Sequence, residues 1–163
     1  MSDKIGVYPG SFDPIHMGHL DLIDRCRPLF DRIHVAVLSN EAKKSLFSVE
    51  ERCDMIREVL ADRPGCVVSS FSGLLVHFMD EVGATAVVRG LRAVSDFEFE
   101  FQMALMNRRL NPKVETVFMM PKDTYTYVSS RLIKEVCALG GDLSGLMPDI
   151  ILARLQERLG QEG

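Results

Sequence analysis

The sequence contains no tryptophan and no C-x-x-C pattern, although it has four cysteines. A zinc knuckle or a thioredoxin-type redox site needs closely paired cysteines, so neither site is predicted. A chain of 163 residues is long enough to bury its own core without disulfides. The cysteines are therefore expected to be thiols in a reducing cytoplasm. They are Cys26, Cys53, Cys66 and Cys137.

Long hydrophobic runs and a targeting segment are also missing. The longest stretch without Lys, Arg, Asp or Glu, Pro64–Met79, is too short to cross a bilayer. Met1–Lys4 has no basic-then-apolar signal pattern. The net charge is −4 and the isoelectric point is about 5.6, which argues against coating of nucleic acid or of a membrane surface. The sequence predicts a cytoplasmic protein with neither a nucleic-acid nor a membrane partner.

Two familiar phosphate-binding motifs are absent. The chain has no G-x-x-x-x-G-K-[ST] motif, which excludes a P-loop enzyme, and no G-x-G-x-x-G motif, which argues against a dinucleotide-binding protein. A phosphate site in this chain must therefore be built from other residues.

Apolar strand-like runs alternate with helix-like stretches along the whole chain. Nearly unbroken apolar strands that alternate with helices indicate a parallel sheet covered on both faces. We predict one α/β domain over residues 1–163, a Rossmann-like, doubly wound, five-stranded parallel sheet with helices on both faces and a short C-terminal helical extension. The predicted strands are Ile5–Tyr8, Ile33–Leu38, Cys66–Val68, Ala86–Val88 and Val114–Met119. The predicted helices include 20–30, the segment after Ser48, Leu74–Val82, the segment after Ser129 and Ile150–Leu159.

One segment fits two kinds of structure. Residues 96–101 alternate between acidic residues and phenylalanine, which is the pattern of a half-buried strand. However, Phe97, Phe101 and Leu105 also lie on one helical face, and the residues that follow are strong helix formers. We predict a helix.

Cationic residues follow four of the five predicted strands. In an open parallel sheet, ligands bind beyond the carboxyl ends of the strands, near the switch in strand order. Cations gathered at that edge of an acidic protein predict a polyanion site with phosphate as the ligand. The third connection, from Ser69 to Leu75, has no cation and would suit an uncharged part of a substrate. The cations are Lys43, Lys44, Arg89, Arg92, Lys122, Arg131 and Lys134, together with His16 and His19 after the first strand.

Two constellations have the residue types of a phosphate site. In the segment Gly10–His19, His16 and His19 stand three residues apart at a helix N-terminus, where imidazoles donate to phosphate oxygens with the helix dipole behind them. No carboxylate or cysteine lies beside them at ligand spacing, so a metal site is not predicted. In the segment Tyr125–Lys134, paired serines open a helix and leave backbone N–H groups for a phosphate.

Together these segments resemble known signatures. The stretch Tyr8–His19 resembles the (H/T)-x-G-H motif of the nucleotidyltransferase superfamily, and Val128–Lys134 resembles its S-S-x-x-x-K/R element. The stretch Arg89–Glu100, followed by Met106–Arg108, is a more specific motif and resembles the phosphopantetheine adenylyltransferase family. The resemblance extends over almost the whole chain.

The resemblance implies a set of site residues. His19 would stabilise the transition state. Two positions depart from the common pattern: Ser11 stands where many relatives have Thr and keeps the hydroxyl, whereas Arg131 stands where many have Ser and adds a charge. The implied acceptor-binding residues are Ser11, Lys43, Leu75 and Arg89. The implied ATP-binding residues are Ser11, Phe12, His19, Gly90, Leu91, Arg92, Glu100, Tyr125, Thr126, Tyr127, Val128, Ser129, Ser130 and Arg131.

The resemblance also implies a reaction, in which ATP and 4′-phosphopantetheine give dephospho-coenzyme A and pyrophosphate. The nucleophile would be an ionised phosphate oxygen that needs no general base, and Mg²⁺ would arrive with ATP. A homohexamer and feedback inhibition by coenzyme A are further implications. The alternatives are nucleotidyl transfer to nicotinamide mononucleotide or a small phosphoalcohol, and a catalytically silent nucleotide-sensing module.

Overall fold

The computed structural model describes residues 2–160, and this part of the chain contains five strands and six α-helices. The strands are β1 Ile5–Gly10, β2 Arg32–Leu38, β3 Cys66–Phe71, β4 Ala86–Gly90 and β5 Glu115–Met119. The helices are α1 Met17–Cys26, α2 Val49–Val59, α3 Leu75–Val82, α4 Val94–Leu110, α5 Ser130–Ala138 and α6 Asp149–Arg158.

All five strands are parallel and lie in the order β3-β2-β1-β4-β5. The chain therefore builds one half of the sheet outward from β1 and then crosses to the other side of β1 to add β4 and β5. This reversal between β1 and β4 is the switch point at which sheets of this type bind ligands. The predicted five-stranded, doubly wound sheet is confirmed.

Two apolar cores cover the two faces of the sheet. On one face, Tyr8, Val35 and Val88 from the strands pack with the helices α1, α2, α5 and α6. On the other face, Val7 and Val87 pack with α3. The C-terminal helix belongs to the larger core, because Ile151 and Leu155 of α6 are completely buried there.

Three strands run farther at their carboxyl ends than predicted. β3 continues through Phe71 because Ser69–Phe71 pair with Ala36–Leu38 of β2, so the uncharged third connection begins after Phe71 rather than at Ser69. β4 includes Arg89 and Gly90, which pair with Phe118 and Met119 of β5. In both cases, pairing with a neighbouring strand extends the β-strand beyond the apolar residues from which it was predicted.

β1 also extends through Pro9 and Gly10, which the sequence analysis had placed after the strand. The carbonyl of Pro9 accepts a hydrogen bond from Arg89, beyond the last β1–β4 register pair at Val7. On the other side of β1, Pro9 is in register with Ala36 of β2. The helical spacing predicted to reach Phe30 was wrong at its end, because α1 stops at Cys26 and a 3₁₀ turn over Arg27–Leu29 follows.

The ambiguous phenylalanine segment is helical, as predicted, and forms the first half of α4. Its apolar side chains lie largely at the surface: Phe99 is 61% exposed, and Phe97 and Phe101 stack with ring centroids 5.6 Å apart. Within residues 2–160 no disulfide joins the cysteines, and no helix there is both long and apolar enough to span a membrane.

Candidate active site

A cleft opens at the carboxyl ends of β1 and β4, at the switch point of the sheet. It is bounded by the end of β1, the start of α1, the end of β4, the start of α4 and the start of α5. These are the segments in which the sequence analysis found the cations and the paired serines. The residues that line the cleft are Tyr8, Pro9, Gly10, Ser11, Phe12, His16, Gly18, His19, Leu22, Arg89, Gly90, Arg92, Asp96, Glu100, Pro121, Tyr125, Val128, Ser129 and Ser130.

His16 and His19 cap the N-terminus of α1 reciprocally. The N–H of Gly18 donates to Nδ1 of His16 over 3.1 Å, and the N–H of His16 donates to Nδ1 of His19 over 3.1 Å. The two rings stack with centroids 3.7 Å apart. Because Nδ1 of each neutral ring accepts a bond, the ring proton must reside on Nε2. Both rings therefore keep an Nε2 donor, and that of His19, the less buried of the two residues, is better placed to meet a ligand.

Both imidazoles are held neutral. Burial lowers the pKa of His16 to about 3, and the nearby Arg92 cation acts in the same direction. Burial also holds the pKa of His19 well below its usual range, with His16, Arg92 and Arg89 adding to the effect. A neutral imidazole with its proton on Nε2 can donate to developing negative charge without first gaining a proton.

Arg89 is fixed at the floor of the cleft by a buried carboxylate. Its Nε and Nη2 donate to the two oxygens of Glu100 over 2.9 and 2.7 Å, and its Nη1 donates to the carbonyl of Pro9 over 2.7 Å. The bidentate pair orients the guanidinium and leaves Glu100 only 8% exposed. Glu100, predicted as a nucleotide contact, therefore binds Arg89 directly.

Arg92 joins the two sides of the cleft. Its Nη1 donates to the carbonyl of Val128 over 3.0 Å, and its Nε donates to Asp96 over 3.2 Å. Ser129 is the N-cap of α5 and accepts from the N–H of Leu132, which confirms that the paired serines open a helix. The start of α5 thus lines the cleft, where the positive end of its dipole would favour an anion.

Lys43 does not line the cleft, but its side chain contacts a residue that does. It lies between β2 and α2, and its Nζ donates to Oγ of Ser11 over 3.3 Å. Among residues 2–160, no group of three or more His, Cys, Asp or Glu side chains is arranged to hold a metal ion.

Most of the predicted site residues meet in this cleft. Six do not line it: Lys43, which contacts Ser11 from outside, and Leu75, Leu91, Thr126, Tyr127 and Arg131. The Arg131 side chain is 90% exposed and pairs with Glu135, and Leu75 packs against the α3 core. Their roles stay predictions from the resemblance.

The cleft is also lined by residues that were not predicted for the site, namely Tyr8, Pro9, Leu22, Asp96 and Pro121. The one available signal was the spacing of Asp96, four residues after Arg92, which favours an ion pair on a helix.

Comparison with known proteins identifies relatives over nearly the whole chain. A family model described as cytidylyltransferase-like matches residues 7–136. A phosphopantetheine adenylyltransferase of Desulfosudis oleivorans is 54% identical over 157 residues, which cover 96% of this chain and 94% of that protein. One from Caldanaerobacter subterraneus is 52% identical over 155 residues, which cover 95% of this chain and 97% of that protein.

A solved structure of a Vibrio parahaemolyticus protein, assigned as a nicotinate-nucleotide adenylyltransferase, superposes with a TM-score of 0.73 over 99% of this chain and 98% of that chain. At 18% identity this likeness bears on the fold alone. The closer sequence relatives decide the family. Since more than half of its residues are identical to theirs across nearly its whole length, this chain belongs to the phosphopantetheine adenylyltransferase family of cytidylyltransferase-like proteins.

Proposed function

We propose that this protein transfers the adenylyl group of ATP to 4′-phosphopantetheine, giving dephospho-coenzyme A and pyrophosphate, the penultimate step of coenzyme A synthesis. The names of its relatives support the reaction. The structural observation that carries the proposal is the neutral His19 at the switch-point cleft, with its Nε2 donor left for a ligand. An α-phosphate bound there would meet a donor that costs no reorganisation during the reaction.

The reaction depends on the relative positions of the two substrates and needs no proton transfer by a protein side chain. The phosphate of the acceptor is largely ionised at neutral pH and attacks the α-phosphorus of ATP in line with the departing pyrophosphate, so no general base is needed. His19 donates to the α-phosphate oxygen that gains charge as the fifth bond forms. The surrounding cations offset the charge on the phosphates of both substrates.

We propose that different cationic groups bind the two substrates. Arg89, oriented by Glu100, and Lys43, next to the hydroxyl of Ser11, are proposed to hold the acceptor phosphate. Arg92 and the N-terminus of α5 lie on the other side and are proposed to hold the phosphates of ATP. This arrangement brings the attacking oxygen and the α-phosphorus to the same point beside His19.

Mg²⁺ is proposed to enter on the phosphates of ATP. The carboxylates in the cleft lining are Asp96 and Glu100, and each is already engaged by an arginine. Mg²⁺ prefers several oxygen ligands with one or two carboxylates. These side chains therefore do not fit a resident magnesium site, and the metal would supply charge neutralisation as part of the nucleotide substrate.

Assembly and regulation complete the proposal. Exposed apolar side chains along α4, including Phe99 at 61% and Met106 at 54%, mark a surface that another subunit would cover, which supports the proposed homohexamer. Coenzyme A contains the same pantetheine arm as the acceptor and is the proposed feedback inhibitor at this cleft. We propose the cytoplasm as the site of action.

The test is an acceptor panel followed through pyrophosphate release. With ATP and Mg²⁺, we expect turnover with phosphopantetheine and little with nicotinamide mononucleotide, nicotinate mononucleotide or glycerol phosphate. A comparable kcat/KM with any of these other acceptors would contradict the proposal. Pyrophosphate release from none of the acceptors would favour a nucleotide-sensing module.

The second arm of the test is His19→Ala. Loss of one such donor costs about 10²–10³ in rate, so kcat should fall by at least about 10²-fold with a modest change in ATP affinity. His16→Thr is the matched control, because Thr keeps an N-cap oxygen for α1 and has no imidazole. If His16→Thr lowers kcat more than His19→Ala does, the roles are assigned wrongly.

A further inference from the structure

The segment between β2 and α2, residues 39–48, is a loop that positions a cation of the cleft. We refer to it as the Lys43 segment. The side chain of Lys43 is exposed, and its Nζ donates to the hydroxyl of Ser11 over 3.3 Å. A long, flexible side chain on a loop holds one position only if the backbone beneath it is fixed. Two buried charged side chains make the contacts that fix this backbone.

Asp13 anchors the end of the Lys43 segment. It is 4% exposed, and its carboxylate accepts from the N–H groups of Leu46 and Phe47 over 2.8 and 2.9 Å. The same carboxylate accepts from Nζ of Lys134 over 3.0 Å. Asp13 thus ties the Lys43 segment and α5 to the turn between β1 and α1.

Arg52 anchors both ends of the same segment. It is also 4% exposed. Its Nε donates to the carbonyls of Phe47 and Ser48 over 3.1 and 3.3 Å. Its Nη1 donates to the carbonyl of Ser11 over 2.8 Å and to that of Leu38, at the end of β2, over 3.4 Å. A buried guanidinium that donates to four carbonyls fixes their backbone in one arrangement.

The two anchors meet at one residue and at one turn. The N–H of Phe47 donates to Asp13 while its carbonyl accepts from Arg52, so opposite charges hold both sides of this residue. Both anchors also hold the turn that carries Ser11, the partner of Lys43. We propose that Asp13 and Arg52 are positioning residues that fix the Lys43 segment against Ser11 and thereby set the use of the acceptor; this inference rests on the function proposed above.

Arg52→Lys is the informative change. Lysine keeps the charge but lacks the planar fork that reaches Phe47 and Ser11 at once. We expect kcat/KM for phosphopantetheine to fall by about 10-fold or more, because small displacements of a positioning group are costly in rate. The KM for ATP should change by less than about twofold, because none of the four carbonyls that Arg52 binds belongs to Arg92 or to α5.

A double-mutant cycle separates positioning from general destabilisation. If Arg52 acts through Lys43, then Arg52→Lys in a Lys43→Ala background should lower the acceptor kcat/KM by less than about twofold. Val114→Ala is the matched control, because Val114 is 2% exposed, belongs to the α3 core and precedes β5 at the opposite edge of the sheet. It should reduce stability and leave the acceptor kcat/KM unchanged.

The outcomes decide between the ideas. If Arg52→Lys does not fold, Asp13→Asn supplies the acceptor kcat/KM with and without Lys43, since its amide cannot accept all three bonds made by Asp13. The KM for ATP is not the control for this variant, because Asp13 also accepts from Lys134 of α5. The inference is overturned if the folded variant keeps its acceptor kcat/KM, or if the loss is equally large with and without Lys43. If the wild-type protein itself does not turn over phosphopantetheine, the proposed function fails along with this inference, and the wild-type assay alone reveals it.

Discussion

Acidification should destabilise this protein through His16, the N-cap of α1. The folded chain holds the pKa of His16 at about 3, whereas the ordinary value is 6.5. Below pH 6.5 the unfolded chain therefore binds a proton that the folded chain does not. The contribution of His16 to the free energy of unfolding is fully present above pH 6.5 and is lost as the pH falls. At pH 5.0, about 1.5 pH units below the unfolded pKa, the loss from this one group is about 2 kcal/mol.

The perturbation is His16→Asn. Asparagine is a preferred N-cap residue, and its side-chain oxygen replaces Nδ1 as the acceptor for the N–H of Gly18, so the cap is kept while the titrating ring is lost. Urea unfolding at pH 7.5 and pH 5.0, at one protein concentration, gives the free energy at each pH. Circular dichroism is the suitable probe because the chain has no tryptophan.

We expect the wild-type protein to lose about 2 kcal/mol more than His16→Asn between the two pH values. His34, whose pKa is also lowered by burial, remains in both proteins, so its contribution cancels. His19 remains as well, and burial, the largest cause of its lowered pKa, acts in both proteins. The control is His77→Asn, at an exposed position on α3, which should behave as the wild type does. An equal loss in wild type and His16→Asn would refute the reasoning.

Three further changes test the packing and the surface. Arg89→Ala leaves the buried carboxylate of Glu100 unpaired and should lower the free energy of unfolding by about 3 kcal/mol, and adding Glu100→Gln should restore part of the loss in the same urea assay. Leu155→Ala empties a fully buried site and should cost about 2–5 kcal/mol in thermal or urea unfolding, whereas Leu139→Ala at an 89% exposed position should cost little; equal costs would contradict the assigned core. Phe99→Glu should reduce the molar mass measured by light scattering without unfolding α4, and an unchanged mass would exclude this helix as a subunit contact.

Local patterns predicted the elements well. The sequence of α2 contains its own start signal, since the Ser48 hydroxyl accepts from the N–H of Glu51 and the Glu51 carboxylate accepts from the N–H of Ser48. The clustering of cations after the strands predicted the cleft for the same reason, because parallel strands end at one edge. Signals of this kind lie within a few residues of the feature they specify.

Features that depend on distant partners were not predictable from the sequence alone. Arg89 and Gly90 belong to β4 because they pair with β5. Arg52 looks like a surface residue of a charged helix, and its burial follows from carbonyls at Ser11 and Leu38. Those contacts depend on the tertiary fold, so the local periodicity of the sequence does not predict them.

The strand order also determines when the cleft can form as the chain is synthesised. β1, β2 and β3 are adjacent both in sequence and in the sheet, so the first 71 residues include a three-stranded half that can pair by itself. Arg89 contacts Pro9 from 80 positions away, and contacts between such distant residues form late because closing a long loop costs entropy. On the ribosome, the nascent chain would display His19 long before Arg89 emerges, so we expect acceptor-binding competence to appear only after β4 has docked beside β1.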